Sequence, residues 1–344
     1  MTISFSFQWP ACFVAMSPLV GCAAQHGSDF RGTATAGSAL PSAAGFDDLR
    51  GQMPNAAPHE EDGRHGDLFV PHGYPEPFGA DLTLGWFEPW PHSHFSRRGT
   101  PFVHLFNLEP AFLDQDLFFD YRQVRGADGD EREVEVELEW AFTRRIGLVV
   151  EAPYVWSAPS GQKTQSGLGD VAIAPRLLLV DSETFLLSGS LEVALPSGEA
   201  ANGLGRGEVA LAPSLSSWLD LGNWFQASVQ LGTEHGLETG STEVFYNGAL
   251  AHAFLAPNLF GATVHSPDNH ATRHFPAGLT SLIAEFTGRT VVDGQDDGRD
   301  TGELLFGLSH NATTSWEVRF GYQAPIGSTR DIDDGFVLSL VCHF

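Results

Sequence analysis

Between Glu131 and Trp156 the sequence reads EREVEVELEWAFTRRIGLVVEAPYVW, and few folds can absorb it. Val134, Val136, Leu138, Trp140 and Phe142 alternate with Glu133, Glu135, Glu137 and Glu139, a period of two that only a strand sorts onto opposite faces. After a tight turn at Thr143-Arg144-Arg145 the alternation resumes, with Leu148, Val150, Ala152, Tyr154 and Trp156 set against Gly147, Val149, Glu151, Pro153 and Val155. Each arm of this hairpin has about 10 residues, the length of a tilted strand that crosses a bilayer. Two surroundings satisfy it. In a soluble sandwich the apolar face packs on a second sheet and the glutamates meet bulk water; in an outer-membrane barrel the apolar face meets lipid and the glutamates a wet lumen.

The remainder of the chain favours the barrel. Apolar alternation predicts strands over 116–124, 132–142, 146–156, 169–180, 185–195, 207–219, 224–234, 243–255, 278–291, 303–312, 315–325 and 335–344. Short turns at 143–145, 181–184, 220–223 and 313–314 alternate with longer loops at 125–131, 157–168, 196–206, 235–242, 292–302 and 326–334, the parity of periplasmic turns and external loops. Residues 256–277 are assigned no further crossing, which makes them an unusually long periplasmic connection. The expected fold is therefore all-β: a closed antiparallel transmembrane β-barrel of twelve strands over 116–344, behind a largely unstructured N-terminal extension. Phe336, Leu338, Leu340, Cys342 and Phe344 share one face of the last strand, and a terminal aromatic at Phe344 resembles the signal that the barrel-assembly machinery recognises.

The N-terminus predicts export. Residues 1–24 form an apolar stretch followed by small residues, as in a secretory signal peptide, although no Lys or Arg precedes Arg31. Leu19-Val20-Gly21-Cys22 also matches a lipobox, with Cys22 as the lipidated residue; cleavage after Ala23 or Ala24 is the alternative. Residues 25–66, rich in Ala, Gly, Ser and Pro without periodicity, read as a flexible linker. Residues 67–115 form an irregular Trp- and Pro-rich segment, including Leu84-Gly85-Trp86-Phe87-Glu88-Pro89-Trp90, expected to act as a tether or a plug of the barrel. With 43 Asp+Glu against 18 Lys+Arg, the chain lacks the basic clusters that nucleic-acid binding requires. No run of 18 or more apolar residues exists to cross a membrane as a helix, a criterion that strands escape.

Gly167-Leu168-Gly169-Asp170, Leu195-Pro196-Ser197-Gly198, Glu285-Phe286-Thr287-Gly288 and the hairpin from Trp316 to Pro325 follow one another in an order that resembles the outer-membrane transporter family named after the meta-cleavage pathway of phenol degradation. Thr287 stands where Asn is expected, and the resemblance covers roughly 131–344. It implies an outer-membrane channel, in some members linked to uptake of hydrophobic or aromatic compounds, and it supplies no catalytic residues.

The register places Glu133, Glu135, Glu137, Glu139, Glu151, Asp170, Glu192, Glu208, Glu285 and Glu317 on the inner face with Arg176 and Arg319. Carboxylates do not stay ionised in a dry interior without partners, so this face demands either a wet, cation-attracting lumen or a plug that pairs with it. No metal site is predicted: His59, His65, His72, His265, His270 and His274 fall in segments read as loops or linker, without ligand spacing. No cofactor is expected, and there is no Gly-x-Ser-x-Gly elbow of a hydrolase. The sequence thus predicts a bacterial outer-membrane channel for small solutes, a non-enzyme whose partners are the lipid bilayer and the solute. A non-transporting structural or surface-binding protein is the alternative, and an outer-membrane hydrolase a third.

Overall fold

The two-faced hairpin expected over 131–156 forms: Gly129–Ala141 and Ile146–Pro159 pair antiparallel, with Glu137 opposite Glu151 and Val136 opposite Ala152. The computed structural model describes residues 82, 86, 94–96, 98–127, 129–257, 275–294, 296–327 and 329–344. The signal peptide, Cys22 and the linker expected over 1–66 lie outside the described residues.

Among the described residues thirteen strands follow in order: β1 (Gln115–Gly126), β2 (Gly129–Ala141), β3 (Ile146–Pro159), β4 (Gln165–Leu168), β5 (Val171–Asp181), β6 (Phe185–Leu195), β7 (Ala210–Gly222), β8 (Phe225–Gly236), β9 (Thr242–Leu255), β10 (Leu279–Asp293), β11 (Asp300–Asn311), β12 (Trp316–Ile326) and β13 (Asp334–His343). Apart from β4 and β5, each pairs with its neighbour in sequence, and β1 also pairs with β13, from Asp116 opposite His343 to Arg125 opposite Asp334, so the sheet closes. The short β4 and β5 both pair with β3 and make a single crossing. Between them Gly169 and Asp170 add one residue opposite β3, a bulge that bends the strand at the point where the sequence predicted it to begin, and β4 falls in the predicted loop 157–168. The barrel therefore has twelve staves. No stave stands between β9 and β10, which pair directly from Leu255 opposite Leu279.

The two ends of the barrel differ. At one end the turns 142–145, 182–184, 223–224 and 312–315 are short, and the connection 256–278 is long; at the other lie loops such as 196–209 and 327–333. One expectation about this loop end fails. The predicted loop 125–131 is zipped into strand, with Gly126 opposite Gly129, because Gly129 takes φ 147°, a conformation closed to side-chain-bearing residues.

Outside, the alternation produces an apolar belt. Phe306 is 60% and Leu250 59% exposed, whereas their neighbours Leu305 and Ala249 are 1% and 7% exposed on the inner face. Trp140 and Phe344 meet edge to face near the turn end, and Tyr154 and Trp156 do so toward the loop end, as aromatic girdles at two interfaces do. A closed barrel leaves no backbone group unpaired toward lipid, which an open sheet could not achieve.

The core lies inside the barrel. Residues 98–114 and 94–96 enter it from the turn end, and Val103, Leu105, Phe106 and Leu108 pack on the inward Ala249, Ala251, Ala253, Ile283, Leu305 and Val337. Phe102, Ala111, Phe112 and Leu113 pack on Ala141, Leu178, Leu186 and Trp218. The described part of the 67–115 segment, here named the plug for its place, lies inside the barrel against this wall.

Candidate functional site

The plug is irregular backbone in an apolar setting, so its N–H and C=O groups require partners from the wall. Three charged side chains supply them. Glu285 on β10 accepts the backbone N–H of Phe106 at 2.5 Å and of Asn107 at 2.8 Å. Arg319 on β12 donates to the Leu105 carbonyl at 2.9 Å and lies over the Phe106 ring at 4.9 Å. Arg176 on β5 donates to the carbonyls of Pro110 and Phe112 while pairing with Glu109 at 2.7 Å and Glu139 at 3.1 Å. Nearer the turn end, Thr100 and Ser96 donate to Asp220 on β7. Asn107 marks the apex, where its side-chain oxygen accepts from Arg122 at 3.0 Å.

Gly307 on β11 admits the Phe106 ring. A Cβ at that position would run into the ring, so the bare backbone is what permits so close an approach.

Above the plug a cavity of about 130 Å³ remains. Period two on β2 and the facing position on β3 put Glu133, Glu135, Glu137, Glu139 and Glu151 on its wall, with Glu192 from β6. Glu109 of the plug, Asp120 and Glu234 add to the negative charge, while Arg122, Arg289 and Arg319 are the arginines lining it. The wall is acidic on the side of β1 to β3 and small or apolar where the plug is seated.

The twelve inward residues of the sequence reading thus fall into separate places. Glu133, Glu135, Glu137, Glu139, Glu151, Glu192 and Arg319 line the cavity. Arg176 joins Glu139 to the plug beneath it, and Glu285 grips the plug apex. Glu317 lies toward the turn end, 3.3 Å from Nε2 of His343. Asp170 and Glu208 sit in loops at the other end and hold backbone: Asp170 accepts from the N–H of Gly198 and Arg206, Glu208 from those of Glu238 and Thr239. These contacts fold the loop 196–209 over the loop end, where buried Leu204 packs on the inward Val155 and Arg206 pairs with Glu234. For Glu208, burial opposes the charged form, but the Thr239 hydroxyl and the two backbone donors outweigh it and hold the pKa below the ordinary 4.5.

One group at the turn end has no counterpart among the residues expected from the sequence. His94 and His104 of the plug meet Asp116 of β1 and His343 of β13 at the turn end, all four buried. For His343 a signal existed: with Phe336 to Phe344 facing out, position 343 had to face in. The histidines singled out instead, His59, His65, His72, His265, His270 and His274, lie outside the described residues.

A comparison with protein-family models and with curated proteins finds no match. Among solved structures the chain is similar to an outer-membrane channel from Pseudomonas putida F1, with a TM-score of 0.47 and 12% identity over 70% of this chain and 100% of that one. It is similar also to the KdgM porin in complex with disordered oligogalacturonate, with a TM-score of 0.44 and 9% identity over 67% of this chain and 99% of that one. The NanC porin gives a TM-score of 0.42 and 10% identity over 67% and 98%. The chain's own architecture, an even-numbered closed antiparallel barrel with an apolar belt and aromatic girdles, is that of the bacterial outer membrane, and there its turn end faces the periplasm.

Proposed function

We propose that this protein is a passive, cation-preferring outer-membrane channel whose periplasmic half is closed by its own plug. The observation that carries the reading is the acidic wall: Glu133, Glu135, Glu137, Glu139 and Glu151 face one cavity above the plug. A row of carboxylates in a low-dielectric enclosure concentrates cations and repels anions. Resemblance to the phenol-pathway family adds small hydrophobic or aromatic compounds as candidate cargo, and the acidic wall restricts these to neutral or cationic ones. No catalytic step is part of this reading.

Purified, folded barrel in planar bilayers tests it. The expected result is conductance with a reversal potential of cation selectivity, collapsing toward that of free diffusion when Glu133, Glu135, Glu137 and Glu139 are all changed to Gln. Removing residues 94–114 should raise conductance. A folded barrel that conducts neither with the plug nor without it would overturn the channel reading in favour of a structural or surface-binding protein. That second reading has its own support in the density of contacts by which Arg176, Glu285 and Arg319 hold the plug.

A further inference from the structure

The buried group at the periplasmic end is chemically unlike the rest of the lumen. His94 and His104 belong to the plug, Asp116 and His343 to the two strands that close the barrel, and one ligand atom from each lies within 4.8 Å of all the others. His104 Nε2 is 3.0 Å from one Asp116 oxygen, and His343 Nδ1 is 2.9 Å from the other. The His94 and His343 rings stand 5.0 Å apart, and Phe275 closes over both, its centroid 4.8 Å from His94 and 5.0 Å from His343.

A second observation is independent of the four. Asp114 is buried beside them, 3.8 Å from both His94 Nδ1 and His104 Nε2, yet neither of its carboxylate oxygens accepts a hydrogen bond from any described residue. Buried carboxylates left this way are expensive. Asp114, Asp116 and Glu317 together place three carboxylates around three imidazoles in a dry site, a set whose charge a divalent cation balances.

We propose that His94, His104, Asp116 and His343 bind one divalent transition-metal ion, Zn²⁺ in the first instance, which clips the plug to the barrel seam. Three imidazoles and one carboxylate are a tetrahedral zinc donor set with bonds of about 2.0–2.1 Å, and imidazole-rich sites suit Zn²⁺ over Mg²⁺ or Ca²⁺. The outer partner is in place as well. With Nδ1 of His343 on the side of Asp116 and the ion, its Nε2 faces the Glu317 carboxylate 3.3 Å away, the arrangement that fixes a ligating imidazole. Because two ligands come from the plug and two from the wall, the ion ties occupancy of the site to closure of the lumen.

Full-length protein, stripped with a chelator and titrated with Zn²⁺ alone, provides the test. One Zn²⁺ per chain is expected, with affinity falling at least about 100-fold in His104→Ala and unchanged in His235→Ala at the exposed loop end. His104 is on the plug, so its loss leaves the strands intact, and heat-modifiable gel mobility reports the fold. A measurement on the unaltered chain stands beside the variants: Cu²⁺ in place of Zn²⁺, with ascorbate as electron donor and dissolved O2 as oxidant, should add oxygen to His94, His104 and His343, mapped by peptide mass spectrometry. Absence of stoichiometric Zn²⁺, retention of it in His104→Ala, or oxidation confined to other histidines would each overturn the proposal.

Discussion

Changing Glu285 to Gln should unlatch the apex of the plug while leaving its base in place. The carboxylate accepts two backbone N–H groups, those of Phe106 and Asn107, at 2.5 and 2.8 Å in a fully buried setting. Hydrogen bonds to a charged acceptor contribute about 1.5–3 kcal/mol each, whereas neutral ones contribute about 0.5–1.5. Gln keeps the shape but has one acceptor oxygen, so one N–H loses its partner and the other keeps a weaker one. Relief of a buried charge offsets part of that loss, and a net cost of about 3 kcal/mol corresponds to an opening equilibrium about 100-fold more favourable. The effect should be local. Arg176 still holds the carbonyls of Pro110 and Phe112, and Asp220 still holds Ser96 and Thr100. Hydrogen exchange of the barrel in detergent, resolved by peptide, should show protection of the 105–108 amides falling about 100-fold while that of 98–102 is unchanged. Equal protection of 105–108 in both proteins would refute the assignment of Glu285 as the apex latch. Uniform loss along the whole plug would refute its local character.

Gly307→Val should act on the same apex from the other side, displacing the Phe106 ring from its seat on β11; raised open-channel frequency without loss of the folded barrel is the expected outcome. Acidification should release the β8–β9 loop from Glu208. A carboxylate whose folded pKa lies below its unfolded value adds stability above the unfolded pKa and loses it as the pH falls through the folded one. Protection of the 238–239 amides should therefore hold from neutral pH down to 4.5 and decline below it, a pH dependence absent from Glu208→Gln. Phe344→Ala should slow assembly into the membrane, read as loss of the heat-modifiable form in cells. That contrasts with Phe225→Ala, which removes another exposed aromatic and should leave assembly unchanged.

The barrel was legible in the sequence because lipid and lumen impose opposite demands on adjacent residues, and β2 writes them out as Val and Glu in turn. Register, closure and the twelve crossings follow from that alternation. The zipped β1–β2 hairpin and the bulge at Gly169-Asp170 did not: the first depends on the backbone conformation at Gly129, the second on an Asp170 side chain satisfied by a loop distant in sequence. The plug was the harder matter. Its apolar residues, Phe102 to Leu113, have no period because irregular chain meets wall on every side, so periodicity cannot report it.

A trace of the plug nevertheless stands in the strands. On β9, Ala249, Ala251 and Ala253 face inward between the outward Leu250, His252 and Phe254, and Ala172 and Ala174 do the same on β5. A wall meant only for water has no use for methyl groups, and a wall meant to be filled by its own side chains would carry larger ones. Inward alanines fit a lumen occupied by something else, and here that is Val103, Leu105 and Phe106. The acidic row on β2 lies where those alanines do not. The inner surface is thus divided between a seat and a passage, and the two charged latches, Glu285 and Arg319, stand where the plug's seated side gives way to the cavity. It follows that mutations which enlarge the inward alanines should open the lumen by eviction, and those which neutralise Glu133, Glu135 and Glu137 should alter its selectivity without moving the plug.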